Sequence, residues 1–217
     1  MEYNKTYKII AVIALILGVV GVTLGYAAFS STLKIESSAE VVPNGSNFNV
    51  DFSSSSSSVV ANDITPQLSA NATGFSATDA TINNSSDPVI SNLHATFTEP
   101  GQSVTYTFYA YNAGQYLAYL NSIVFTGSKT CTARSNTNQG LVDIACTGIS
   151  LSVSVANATD TINATTTSIA SITGHSIAIG AADTVTVVIT YASGSGRADG
   201  DFDVTLPDIT LTYNPID

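Results

Sequence analysis

The 217-residue sequence predicts an all-β protein: one β-sandwich of antiparallel strands, Ig-like or jelly-roll in arrangement, preceded by an N-terminal hydrophobic helix. Three observations predict it. From Leu33 onward, apolar residues recur with period two rather than 3.6. Gly, Pro, Asn and Asp punctuate that pattern at short intervals, as between the strands of sandwiches and barrels. Charged residues make up only 10% of the chain, while Ser, Thr, Asn and Val are abundant, a composition that suits sheets with hydroxyls and amides on the polar face.

At the N-terminus, Lys5 and Lys8 precede an uncharged run from Ile9 to Phe29. About 20 apolar residues cover the roughly 30 Å hydrocarbon core of a bilayer, and basic residues before such a run hold that end in the cytoplasm. The run ends in Tyr26-Ala27-Ala28-Phe29, small residues of the kind found at a cleavage site. Two readings stay open: a signal peptide cut between Ala28 and Phe29, or a retained membrane anchor. On either, residues 1–28 form the export segment and 29–217 a single sandwich domain, outside the cytoplasm.

The strands follow in order. Leu33 and Ile35 alternate with Lys34 and Glu36; Phe48, Val50 and Phe52 alternate with Asn49 and Asp51. Ser53–Ser58 is a low-complexity loop. Ala95–Glu99 and Val104–Ala110 flank the Pro100-Gly101 turn, and Leu117–Phe125 follows Asn112-Ala113-Gly114. Further strands are expected at 149–155, 176–179, 184–191, 202–206 and 209–213. The stretch Ala156–Thr167 reads as a long loop or an edge strand. No helical repeat is expected after the N-terminal run.

Both cysteines, Cys131 and Cys146, lie in the exported part, where an oxidising compartment favours pairing. A disulfide between them would close a loop of about 16 residues, a constraint of about 3 kcal/mol, and pin a polar excursion to the sheet. Two buried free thiols are the alternative. Net charge is −10, with six basic residues against sixteen acidic ones, so nucleic acid is excluded as a partner.

No nucleophile elbow, phosphate loop or metal-binding His pair is present, and no enzyme is expected. His94 at a strand start and His175 in a turn read as surface or strand-face residues. Asp199, Asp201 and Asp203 alternate and form a candidate Ca²⁺ cluster, though without the Gly and Glu of a helix-loop-helix calcium loop; a plain turn is the favoured reading, with no cofactor. Asn-x-Ser/Thr triplets at Asn44, Asn71, Asn83, Asn84, Asn157 and Asn163 are candidate glycosylation acceptors.

Two stretches carry a resemblance. Gly25-Tyr26-Ala27-Ala28-Phe29-Ser30-Ser31-Thr32 resembles the signal-peptide end and mature start of the TasA/camelysin group of secreted proteins, and Glu99-Pro100-Gly101-Gln102-Ser103-Val104-Thr105-Tyr106-Thr107-Phe108 is similar to a strand core of bacterial surface sandwiches. The resemblance implies processing by a signal peptidase and a role as structural subunit of an extracellular filament or biofilm matrix fibre. Assembly into a homo-oligomer would follow from β-strand donation by the freed N-terminal segment, whose apolar face is Leu33 and Ile35. The alternatives are a membrane-anchored adhesin or binding module and a pilin-like subunit.

Overall fold

The computed structural model describes residues 8–17, 19, 47–70, 72–84 and 87–215. The chain divides into two compact units, Met1–Val42 and Pro43–Asp217. In the first, residues 8–17 form helix α1, whose apolar side chains, Ile9 to Leu17, are exposed. Among the described residues no helix is long and apolar enough to cross a membrane; most of the expected span, Ile9–Phe29, lies outside the described residues.

The second unit is built of antiparallel strands. In chain order they are β1 (Val50–Ser53), β2 (Gln67–Leu68), β3 (Ser76–Ala77), β4 (Thr81–Asn83), β5 (Val89–Ser91), β6 (His94–Phe97), β7 (Ser103–Asn112), β8 (Ala118–Thr126) and β9 (Thr130–Ala133). Helix α2 (Gln139–Cys146) intervenes. It is followed by β10 (Ile149–Ala156), β11 (Thr161–Thr165), β12 (Ser168–Ile169), β13 (Ser176–Ile177), β14 (Ala182–Tyr191), β15 (Phe202–Thr205) and β16 (Asp208–Asn214).

One layer is a seven-stranded sheet in the order β1-β7-β14-β10-β11-β12, with β2 also on β7. Its long central strands show why period two predicts them. In β14, Val185, Val187, Ile189 and Tyr191 are buried, while Thr184, Thr186 and Thr190 face outward. The register pairs Val187 with Val153 on one side and Tyr106 on the other, so the apolar face runs unbroken across three strands. Burying each such side chain contributes about 1.5–3 kcal/mol.

The other layer is made of two sheets whose strands continue into one another across a bend. Their orders are β13-β8-β16-β5-β4 and β9-β15-β6-β3. Apart from β13, each strand of the first has its sequence neighbour at the matching place in the second: β8 with β9, β16 with β15, β5 with β6, β4 with β3. The bend falls where the backbone leaves the extended region. Asn92 has φ 59° between β5 and β6, Gly127 has φ 106° between β8 and β9, and Pro207 separates β15 from β16. Asn92 Nδ2 donates to the Asp79 carbonyl (2.9 Å) and Leu206 N to the Leu93 carbonyl (3.0 Å), tying the bend line together. Bends of this kind form the corners of sandwiches.

Aromatic rings join the layers. Tyr191 of β14 meets Phe202 (centroids 5.5 Å) edge to face, and Phe97 at 5.9 Å. The Tyr106 hydroxyl crosses to the Thr78 carbonyl (2.9 Å); burial, with the Asp79 carboxylate, pushes its pKa up to about 12.

Two expectations are corrected and one that was open is decided. The Cys131–Cys146 segment holds a two-turn helix as well as polar loop, because Val142 and Ala145, three residues apart, find a place in the core. Strand β13 stops at Ile177, and Ile179 is exposed. Within Ala156–Thr167 the chain forms an edge strand, β11, after a tight turn in which Asn157 N bonds the Asp160 carbonyl (3.0 Å).

Candidate functional site

The described residues group into edge closures, a buried polar cluster and an acidic loop. At the first closure, Cys131 of β9 and Cys146 at the end of α2 are disulfide-bonded, with Cα atoms 6.0 Å apart. Asn138 caps the helix by accepting from Gly140 N (2.8 Å). Lys129 Nζ donates to the Cys146 and Ile149 carbonyls (2.7 and 2.6 Å), satisfying an orphan acceptor at the helix C-terminus. Burial lowers the Lys129 pKa.

Gln139, the first residue of α2, lies along β9. Its Nε2 donates to the Cys131 carbonyl (3.1 Å) and its Oε1 accepts from Ala133 N (2.8 Å). One side-chain amide thus does what a neighbouring strand's peptide group would do. Asn84 repeats the device on β1: its Oδ1 accepts from Phe52 N and its Nδ2 donates to Phe52 O, both at 2.9 Å. On β13, Asn157 Nδ2 reaches the Ser176 carbonyl and Asn112 Nδ2 the Ile177 carbonyl, each at 3.1 Å. These are neutral plugs on sheet margins, which otherwise offer unpaired N–H and C=O groups to any passing strand.

Strand β11 is different. On its outer side, β12 pairs with Ala164 and Thr165, and Ala170 N bonds the Asn163 carbonyl (2.9 Å). At its start Thr161 N donates to Asp160 Oδ1 (2.7 Å) in the adjoining turn, and among the described residues no side chain from another strand reaches the backbone of Thr161 or Ile162. The outward face beside it is uncharged: Thr161, Asn163 and Thr165 on β11, then Ser150, Ser152 and Ser154 on β10.

The polar cluster holds His175, which the sequence reading placed at the surface. The structure corrects this. The imidazole is fully buried against Asp183 of β14. Its Nε2 lies 2.9 Å from Asp183 Oδ2, and its Nδ1 lies 3.3 Å from Asp160 Oδ2. Asp183 is itself wholly buried on β14 and accepts a second bond from the Tyr213 hydroxyl (2.9 Å). The bond to Asp183 raises the His175 pKa against the opposing effect of burial; burial and Asp183 hold the Tyr213 phenol well above its ordinary value. Asp183 Oδ1 has no hydrogen-bond partner among the described residues. An aspartate at an inward position of a Thr/Val strand was the available signal, since a carboxylate there needs a donor.

The three aspartates of the candidate Ca²⁺ cluster have separate engagements. Asp199 Oδ1 accepts from Asn138 N (2.9 Å). Asp203 accepts from Thr96 Oγ1 (2.7 Å) and lies 3.7 Å from Arg134. Asp201 lines, with Asp199 and Gly200, two polar clefts of about 520 and 560 Å³, beside Arg134 and Arg197 respectively. Among the described residues no group of three side chains is arranged to hold a metal ion.

Of the glycosylation candidates, Asn84 and Asn157 use their side-chain amides on the backbone as described, whereas Asn83 and Asn163 are exposed. Asn44 and Asn71, the cleavage pair Ala28 and Phe29, and the donor residues Leu33 and Ile35 lie outside the described residues. His94 sits half-buried at the start of β6, as expected.

Fold and sites define a disulfide-closed, antiparallel sandwich. Compared with models of protein families, with characterised proteins and with solved structures, the chain matches none.

Proposed function

We propose that this protein is a structural subunit of an extracellular filament or matrix fibre, joined copy to copy by strand addition. The observation that carries the reading is the inequality of the two margins of the seven-stranded sheet. On one side β1 is plugged by Asn84; on the far side, among the described residues, no side chain from another strand reaches the backbone of β11 at Thr161 and Ile162, where the adjoining Asp160 carboxylate meets Thr161 N. The chain enters the sheet through β1, and the segment before it, Phe29–Val41, alternates apolar Leu33 and Ile35 with Lys34 and Glu36. A segment donated from the β1 side of one copy to the β11 side of the next makes a head-to-tail contact, which repeats without closing when no rotation brings it back on itself. Leu33 and Ile35 would continue the buried face of Ile162 and Ala164. The uncharged face is a weak guard against such addition, and a disulfide suits an oxidising, extracellular compartment.

Electron microscopy of the purified chain with and without Phe29–Val41 tests the reading. Filaments are expected from the full chain and monomers from the deletion. Filaments that persist after the deletion overturn strand donation; a full chain that stays monomeric overturns the subunit role and favours a displayed binding module.

A further inference from the structure

The His175 cluster serves none of the roles above, and its geometry depends on one proton. The imidazole stands between a buried carboxylate, Asp183 of β14, and a half-exposed one, Asp160, in the turn joining β10 to β11. Tyr213 of β16 adds its hydroxyl to Asp183, and β8 contributes only the Leu120 N–H, bonded to the His175 carbonyl (2.9 Å). An imidazolium has two N–H donors and serves both carboxylates. A neutral imidazole has one donor and one acceptor.

We propose that His175 is a proton-operated latch on the β10–β11 turn: protonated, it clamps Asp160 to the core; neutral, it lets the turn go. When the proton leaves for solvent, the remaining N–H stays on Nε2, because Asp183 is buried and a carboxylate stripped of its donor there is costly. Nδ1 is then a lone pair facing the Asp160 carboxylate, acceptor against acceptor. Asp160 has solvent on its other side and turns out to it. As it turns, it takes its Oδ1 from Thr161 N (2.7 Å), the side-chain tie between the turn and the first residue of β11, while Asn157 Oδ1 goes on holding Thr159 N and Asp160 N. The latch acts within one molecule and stands independently of the filament reading.

The sign follows from the direction of the His175 shift. Its folded-state pKa lies above the ordinary value, so the stabilisation is complete below about pH 6.5 and is lost as pH rises through the folded-state value. The latch is therefore closed in mild acid and open in alkali.

The test is amide hydrogen exchange of the full chain across that range, corrected for the intrinsic rate, with His175 titrated in parallel by NMR. Protection of Thr159–Ile162 is expected to fall about tenfold as His175 loses its proton, while β7 and β14 stay unchanged. Asp160→Asn should flatten that pH dependence and lower the His175 titration point. His175→Gln keeps one donor and should resemble the alkaline form at every pH. Should His175→Gln fail to fold, Asp160→Asn decides alone, since it alters only the half-exposed partner. Protection that ignores pH in the unmodified chain, or that keeps its pH dependence in Asp160→Asn, overturns the latch.

Discussion

Strands β9 and β11 are both margins of a sheet, and they are finished in opposite ways. Over β9, a helix is stapled by the Cys131–Cys146 disulfide, and Gln139 fills the place of the missing strand. Beside β11 there is a two-residue strand, β12, and then, among the described residues, a stretch of backbone met by no side chain from another strand. The difference teaches that margins in this protein are closed individually. Where one is left open, composition does not explain it, because Asn is plentiful and is used elsewhere.

The contrast can be broken from its closed side first. Replacing both cysteines by Ser should cost about 3 kcal/mol and loosen α2 from β9; an unchanged urea midpoint would show that the helix docks without the link. Next in size is Asn84→Ala, which strips the partners from both the N–H and the C=O of buried Phe52. About 2 kcal/mol is expected, read from the same unfolding curve, and a loss near zero would mean that water replaces the amide. Gln139→Ala should cost about 1 kcal/mol, because its site is more exposed, but it uncovers β9. Increased self-association by light scattering is the sharper readout, and its absence would show that α2 alone guards this margin. Asn163→Lys, on the open side, should leave stability within about 0.5 kcal/mol. It places a charge beside the accepting edge, so filament formation should fail if β11 receives the donated strand. Filaments of normal yield would move the acceptor elsewhere.

The long strands were legible because each has one face to bury. In β7 and β14, ten residues alternate almost without exception, and no other backbone period buries Tyr106, Phe108, Val185 and Ile189 together. The short strands β2 to β5 carry too few residues to show a period. Helix α2 escaped because Gly140, Val142 and Ile144 are poor helix formers, and its stability comes from the disulfide and from packing of Val142 and Ala145. The pairing of Cys131 with Cys146 was legible, since only two cysteines exist. The plugs were not. Asn84 closes a strand 32 residues before it, and a local pattern has no means of recording which peptide an amide will meet. His175 was misread for the same reason: its turn-like surroundings in sequence are local, while the carboxylate that draws it inward lies on another strand.

The amide plugs have a consequence for the medium in which the protein lives. A Lys or Glu guarding an edge works through its field, which salt shortens to a few ångströms and acid or alkali can cancel. Asn84 and Gln139 carry no charge to screen or titrate, so the margins they close should hold alike in brackish, dilute, acid or alkaline surroundings. The seams closed in this way are indifferent to the electrolyte around them.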